Sequence, residues 1–322
     1  MRVKMKVRVK MKVRVKMKMR VKMKVKLTTS SDISKMSTTV QSQPYPEAFA
    51  LLVKQNELSE LVAKQLFEVL SICEIVMVCD DSSSMTGVIA EGNKSNTKTT
   101  RWKELKNLAA VLIEFVTAIN PNGLDLYFLN RGIYPNVTTQ TGLYELFKAD
   151  PSGRTPLLST IRKIYRDKSD CTKQVLIIVV TDGEPSDGSL NELSQVLRNK
   201  KSNFHISFAE CTDDKEAMEF LDRLDNSIPN FDNTDDYREE LDRVRQQQGS
   251  AFKFTFIDYV IKILLATFVR WYFNLDQKRV GSNSNGSTSY NNSSTVSYSG
   301  YNSSVDQGLK RKKRSSKNCT VM

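Results

Sequence analysis

The sequence predicts an α/β fold in which a doubly wound, mostly parallel central sheet is covered by helices on both faces. Three observations carry this expectation. Short buried-strand runs alternate with amphipathic segments across residues 47–276, the order that builds parallel sheets through helical crossovers. The run Val175–Val180 is wholly apolar and mostly β-branched, as a strand buried on both faces must be. Two such strands end directly in acidic and hydroxyl residues, Asp80-Asp81-Ser82-Ser83-Ser84 and Thr181-Asp182-Gly183-Glu184, and open α/β sheets bind ligands at that edge.

In chain order, Ala48–Val53 and Leu58–Leu70 have helical spacing of apolar residues, and Ile75–Val78 is a compact buried strand. Trp102–Ile119 carries apolar residues at 105, 108, 109, 112, 115, 116 and 119, one helical face, and Pro121-Asn122-Gly123 stops it. Leu124–Phe128 reads as a strand, Leu143–Lys148 as a short helix, and Pro156–Tyr165 as a helix with proline in its first turn. After the Val175–Val180 strand, Ser189 and Glu192 form a capping-box pattern that opens another helix. Phe204–Ala209 is a further strand, and Lys215–Leu224 and Tyr237–Arg245 are helices. Phe254–Leu275 reads as one apolar helix whose polar residues Asp258, Lys262, Arg270 and Asn274 share a stripe.

The 322 residues accommodate one sizeable α/β domain with tails. The formal net charge of +12 is concentrated at the ends: residues 1–26 hold thirteen Lys or Arg and no acid, and residues 310–317 hold six more. The remainder of the chain is mildly acidic, which argues against specific nucleic-acid binding, since that needs a basic face beside base-reading groups. Five widely spaced cysteines form neither a disulfide framework nor a zinc pattern. The opening residues lack the uninterrupted apolar stretch of a secretory signal, and the apolar segment around Ile263–Val269 is too short to span a bilayer.

Residues 1–27 alternate Val or Met with Lys or Arg in a low-complexity repeat of strand period. Fully extended, the repeat would reach about 85 Å, far beyond ordinary strands, so a solvated tail is expected. Residues 28–46 are a Ser/Thr/Gln-rich linker ending in Pro44-Tyr45-Pro46. Residues 279–309 are dominated by Ser, Asn, Gly and Tyr and are expected to be a disordered spacer.

Parallel strands would bring Asp80, Ser82 and Ser84 to the same sheet edge as Asp182, with the hydroxyl of Thr155, in Gly153-Arg154-Thr155-Pro156, between them. Two carboxylates and three hydroxyls make an incomplete oxygen shell for a hard cation such as Mg²⁺, or Mn²⁺, that keeps some water. A helix-capping turn is the competing reading of Asp-x-Ser-x-Ser.

Asp80, Ser82 and Ser84 as Asp-x-Ser-x-Ser, then Thr155, then Asp182 within Thr-Asp-Gly-Glu-Pro, resemble the metal-ion-dependent adhesion site of von Willebrand factor type A domains. The resemblance covers residues 47–276 and implies a Rossmann-like fold. It also implies that these five residues hold a divalent metal directly or through water, and that a protein partner's Asp or Glu carboxylate completes the shell. Thr155 is the least determined of the five, because Thr138, Thr139 and Thr141 lie nearby. Ser83 stands where many family members carry glycine, so local backbone strain is an expectation.

The final Cys319-Thr320-Val321-Met322 resembles a prenylation signal of the farnesyl type, and Lys310–Arg314 supplies a basic cluster upstream. A lipid and a basic cluster together suffice for an anionic membrane surface where one alone does not, so residues 310–322 predict attachment to the cytosolic face of a membrane. Asn-x-Ser/Thr sites, among them Asn136, Asn285, Asn292 and Asn302, are then expected to be unglycosylated.

His205, the only histidine, lies in an apolar strand and is expected to pack rather than catalyse. Cys73 and Cys79, an even number apart, share one sheet face as buried thiols. Two function classes follow. The first is a metal-dependent protein-binding module without turnover. The second is a Mg²⁺-dependent phosphoryl-transfer enzyme of haloacid dehalogenase type, which needs a second Asp two places after the nucleophile, where Ser82 stands.

Overall fold

The chain begins with α1 (Glu47–Gln55) and α2 (Glu60–Ile72), which lead into β1 (Cys73–Cys79). A 3-10 turn (Ser83–Thr86) and a short antiparallel pair, β2 (Val88–Ala90) and β3 (Lys98–Thr100), precede the long helix α3 (Arg101–Ile119). Then come β4 (Leu124–Phe128), β5 (Gly132–Val137), α4 (Gln140–Leu146), α5 (Leu157–Asp167), β6 (Gln174–Thr181), α6 (Leu190–Arg198) and β7 (Phe204–Glu210). β8 (Phe231–Thr234), α7 (Tyr237–Gln248), α8 (Phe256–Leu265) and α9 (Arg270–Phe273) complete the set. The structure is a computed structural model that describes residues 45–90, 98–212, 221, 224 and 227–277. The chain divides into two compact units, Met1–Val280 and Gly281–Met322, and every described residue belongs to the first. The basic repeat, the linker up to residue 44, nearly all of the helix predicted over Lys215–Leu224, the 279–309 spacer, the basic cluster and Cys319 lie outside the described residues.

The main sheet has the order β5-β4-β1-β6-β7-β8. All its pairings are parallel except β4 with β5. The architecture is therefore the predicted doubly wound α/β layer. Period-two alternation sorts each buried strand between two cores: Leu176, Ile178 and Val180 of β6 face one, and Val175, Ile177 and Val179 face the other. The first core also takes Cys73 and Cys79, as their even spacing predicts, with Leu66, Leu105, Leu112 and Phe115 of α2 and α3. The second takes Ile161 and Ile164 of α5 and Leu193 and Leu197 of α6.

Several local expectations change. The helix predicted over Leu143–Lys148 begins at Gln140, because the Thr139 hydroxyl caps it by accepting from Gly142 N at 3.0 Å. Pro156 is the residue before α5 and not part of its first turn. Having no side-chain acceptor there, α5 is capped across the fold by Asp187, which accepts from Leu158 N at 3.0 Å and Ser159 N at 2.8 Å. The Ser189–Glu192 capping box forms as predicted.

The single helix predicted over Phe254–Leu275 is two helices, α8 and α9, separated by an extended Val269. The break is tertiary in origin. His205 from β7 donates from Nδ1 to the Thr267 carbonyl at 3.2 Å and stacks its ring 3.7 Å from Phe268. That carbonyl is thereby drawn out of a helical ladder. Burial lowers the His205 imidazole to about 4, so the ring is a neutral packing group. The polar stripe divides: Asp258 caps α8 through a capping box with Thr255, Lys262 is fully buried, and Arg270 is exposed.

Candidate functional site

β1 lies between β4, which follows it in sequence, and β6, which comes later. The strand order reverses at β1, and the crevice beyond the carboxyl ends of β1 and β6 is the topological switch point where such sheets bind ligands. The register is close: Cys79 pairs with Val180, and Asp80 N donates to the Val180 carbonyl at 3.0 Å. Asp80 and Asp182 thus emerge side by side, as the parallel pairing predicted.

From that edge the side chains converge. Asp80 Oδ1 accepts from Ser82 N at 2.9 Å, and its Oδ2 accepts from the Thr181 hydroxyl at 2.6 Å. Ser82 Oγ and Ser84 Oγ are 2.9 Å apart. Ser84 Oγ donates to Asp182 Oδ1 at 2.9 Å. Asp80, Ser82 and Asp182 are buried, while Ser84 is exposed, so the cluster opens to solvent on the Ser84 side. Burial raises the Asp80 carboxyl above its ordinary range; hydrogen bonds from Ser82 and Thr181 oppose this, and Asp182 adds to it.

Thr155 is placed in the adjoining loop rather than in the cluster. Its backbone N donates to Ser186 Oγ at 3.0 Å and its carbonyl accepts from Ser186 N at 2.8 Å. Among the described residues its hydroxyl makes no hydrogen bond to the other four. The loop itself is fastened to the Asp80–Ser84 turn. Ser152 N donates to the Asp81 carbonyl at 2.7 Å, Ser83 N to the Gly153 carbonyl at 3.1 Å, and Gly153 N to Ser83 Oγ at 3.1 Å.

Ser83 is therefore a structural contact, and its backbone is not among the left-handed positions of the chain, so the expected strain is absent. Gly153, at φ +107°, takes the conformation that glycine tolerates.

Three charged partners were not legible as site residues. Asp81, fully buried, accepts from Arg131 Nε at 2.8 Å, Asn130 N at 2.8 Å and Asn130 Nδ2 at 3.1 Å. Arg131 also lies over the Trp102 and Phe128 rings, at 4.8 and 4.6 Å from their centroids. Arg101, the first residue of α3, reaches Asp182 Oδ2 with Nη1 at 2.8 Å. The position of Asn130-Arg131 just past a predicted strand is the signal that could have found those two. No comparable signal marks Arg101.

The convergent donors are all oxygen: two carboxylates and two hydroxyls whose protons can turn away. That set suits a hard divalent cation retaining water. Among the described residues no group of three or more His, Cys, Asp or Glu is arranged to hold a metal, so a cation here depends on the serine hydroxyls. Among those residues, too, no helix is long and apolar enough to cross a membrane.

No protein-family model and no curated protein matches the chain. Among solved structures, it is similar to a von Willebrand factor type A protein from Catenulispora acidiphila, at 13% identity and a TM-score of 0.36, over 60% of this chain and 42% of that one. The match thus spans less than half of the Catenulispora chain. It is also similar to the SpRpn10 VWA domain, at 10% identity and a TM-score of 0.35, over 59% of this chain and 93% of that one.

Proposed function

We propose that this chain is a divalent-metal-dependent protein-binding module of the von Willebrand factor type A kind, with Asp80, Ser82, Ser84, Asp182 and, after a loop adjustment, Thr155 holding Mg²⁺ or Mn²⁺. The observation that carries the reading is the hydrogen-bonded series Asp80–Ser82–Ser84–Asp182 at the switch point of the sheet. When bound, the metal supplies a Lewis-acidic position open to a carboxylate. The chain's own contribution is to hold Ser84 on a short 3-10 turn, anchored by buried Met85, so that its hydroxyl meets Asp182 on one side and Ser82 Oγ on the other. The partner's Asp or Glu enters on the exposed Ser84 side.

We further propose that farnesylation of Cys319, in Cys319-Thr320-Val321-Met322, and the basic cluster Lys310–Arg314 hold the module at the cytosolic face of an anionic membrane. The alternative, phosphoryl transfer of haloacid dehalogenase type, gains nothing from the geometry. Both oxygens of Asp80 are engaged by hydrogen bonds, and Ser82 stands where the second carboxylate is needed.

Calorimetric titration of Mg²⁺ and Mn²⁺ into the full chain, with Asp80→Ala and Asp182→Ala variants checked for folding, tests the metal reading. Saturable binding lost in both variants is the expected result. Equal binding in all three, or turnover of generic phosphate monoesters, overturns it. Mass spectrometry of Cys319 after incubation with a farnesyl donor and a prenyltransferase tests the lipid.

A further inference from the structure

Asp80, Asp81 and Asp182 crowd one sheet edge, yet their charges are not equally available. Asp81 is neutralised by Arg131 at 2.8 Å. Asp182 is neutralised by Arg101 at 2.8 Å, with an Asp182 side chain that is 1% exposed. Only Asp80 has no ion-pair partner among the contacts described at this edge. A side chain thus already supplies the positive charge that a metal would bring to Asp182.

The arrangement of Arg101 is specific. Its backbone N donates to the Gly87 carbonyl at 3.0 Å. Its guanidinium lies against Gly87, where an added Cβ would come within 3.4 Å of both Cζ and Nε. The absence of a side chain at 87 leaves room for the guanidinium beside the turn that carries Ser84, whose carbonyl an added Cβ would meet at 2.9 Å. A guanidinium stays charged at any physiological pH and offers a rigid fork of donors. Its positive charge therefore opposes an arriving cation.

We propose that Arg101 is the resident counter-cation of this site and sets its metal affinity: divalent metal binding at Asp182 proceeds against, and releases, the Arg101 guanidinium. This rests on the metal-binding reading above and adds its regulation. Two cations sharing one buried carboxylate repel strongly where the local dielectric is low. The wild-type site therefore takes up metal weakly, and anything that draws Arg101 away tightens it. An acidic group on a partner, pairing with the released guanidinium beside the metal, would do both at once, so metal and partner bind cooperatively.

The test uses the full chain and Mn²⁺ alone, followed by loss of the free-ion electron paramagnetic resonance signal. Arg101→Gln, which keeps hydrogen-bonding capacity without charge, is expected to bind Mn²⁺ about tenfold more tightly or better. Arg101→Lys stays near wild type. In the Arg101→Gln/Asp182→Asn double variant the gain disappears. Thermal unfolding gives a second readout: Mn²⁺ raises the midpoint of Arg101→Gln more than that of wild type.

Equal or weaker binding by Arg101→Gln, with wild type still binding, overturns the inference and leaves the metal reading standing. Absence of binding in both overturns the two together. Binding by Arg101→Gln alone supports the inference and shows that the unmodified site excludes the metal. A measurement on the unsubstituted chain is independent of how the variants fold. Nuclear magnetic resonance of the Arg101 guanidinium is expected to show freer Nη rotation as Mg²⁺ saturates, and unchanged signals would count against release.

Discussion

The Lys262 ammonium lies 2.7 Å from Glu240 Oε1, with the two side chains 1% and 0% exposed. Asp276 approaches the same ammonium at 3.2 Å, and buried Asp232 is held by the Thr234 hydroxyl at 2.8 Å. One cation thus sits among three carboxylates and ties α8 to α7 and to the segment after α9. Burial alone would lower the Lys262 ammonium, but Glu240, Asp232 and Asp276 outweigh it and raise it, so it stays charged.

Lys262→Met is expected to destabilise the fold by about 3–5 kcal/mol, because it strands buried carboxylates without their counter-ion. Chemical denaturation with a two-state fit measures this. A loss under about 1 kcal/mol would mean that the pair contributes little beyond an apolar isostere.

The same cluster sets a pH dependence. Burial pushes Glu240 up to about 7 against the pull of Lys262, and pushes Asp232 up to about 6. Both folded values lie above the ordinary 4.5 and 3.8, so the native state binds more protons than the unfolded chain. Their contribution to stability is full below those ordinary values and is lost as pH rises through the folded ones. Unfolding free energy is therefore expected to fall between about pH 4 and pH 7, and Glu240→Gln should flatten the slope. An unchanged slope in that variant would assign the dependence elsewhere.

Asp81→Ala is expected to cost about 3 kcal/mol, since it leaves the Arg131 guanidinium, wedged over Trp102 and Phe128, without its carboxylate. Asp81 ligates nothing in the proposed site, so metal affinity per folded molecule is expected to fall far less than in Asp80→Ala. Similar losses of affinity in the two variants would place Asp81 among the ligands.

Gly153→Ala places a Cβ 2.5 Å from Asn130 Oδ1 at a φ of +107°. The strain is expected to cost about 1–3 kcal/mol. It also unfastens the loop that carries Thr155 from Ser83. A thermal shift accompanied by weaker Mn²⁺ binding is the expected pair of results. A shift without any change in binding would remove Thr155 from the proposed ligand set.

What the sequence determined by itself is local and periodic. The apolar run Val175–Val180 read as a doubly buried strand, the spacing in α3 as a helix face, and strand ends rich in Asp and Ser marked the candidate edge. Parallel pairing then made Asp80 and Asp182 neighbours by register. Tertiary structure alone decided where charges and polar strands find compensation. β8, Phe231-Asp232-Asn233-Thr234, has no apolar pattern, and becomes a strand by pairing with β7 and through the Asn233–Glu210 bond at 2.8 Å. The break after α8 depends on His205, Lys262 on Glu240, and Asp182 on Arg101. Periodicity reports which face of an element is buried. It carries no record of the distant side chain that meets a polar group there, and that meeting determines whether the buried group is stabilising, strained or available to bind.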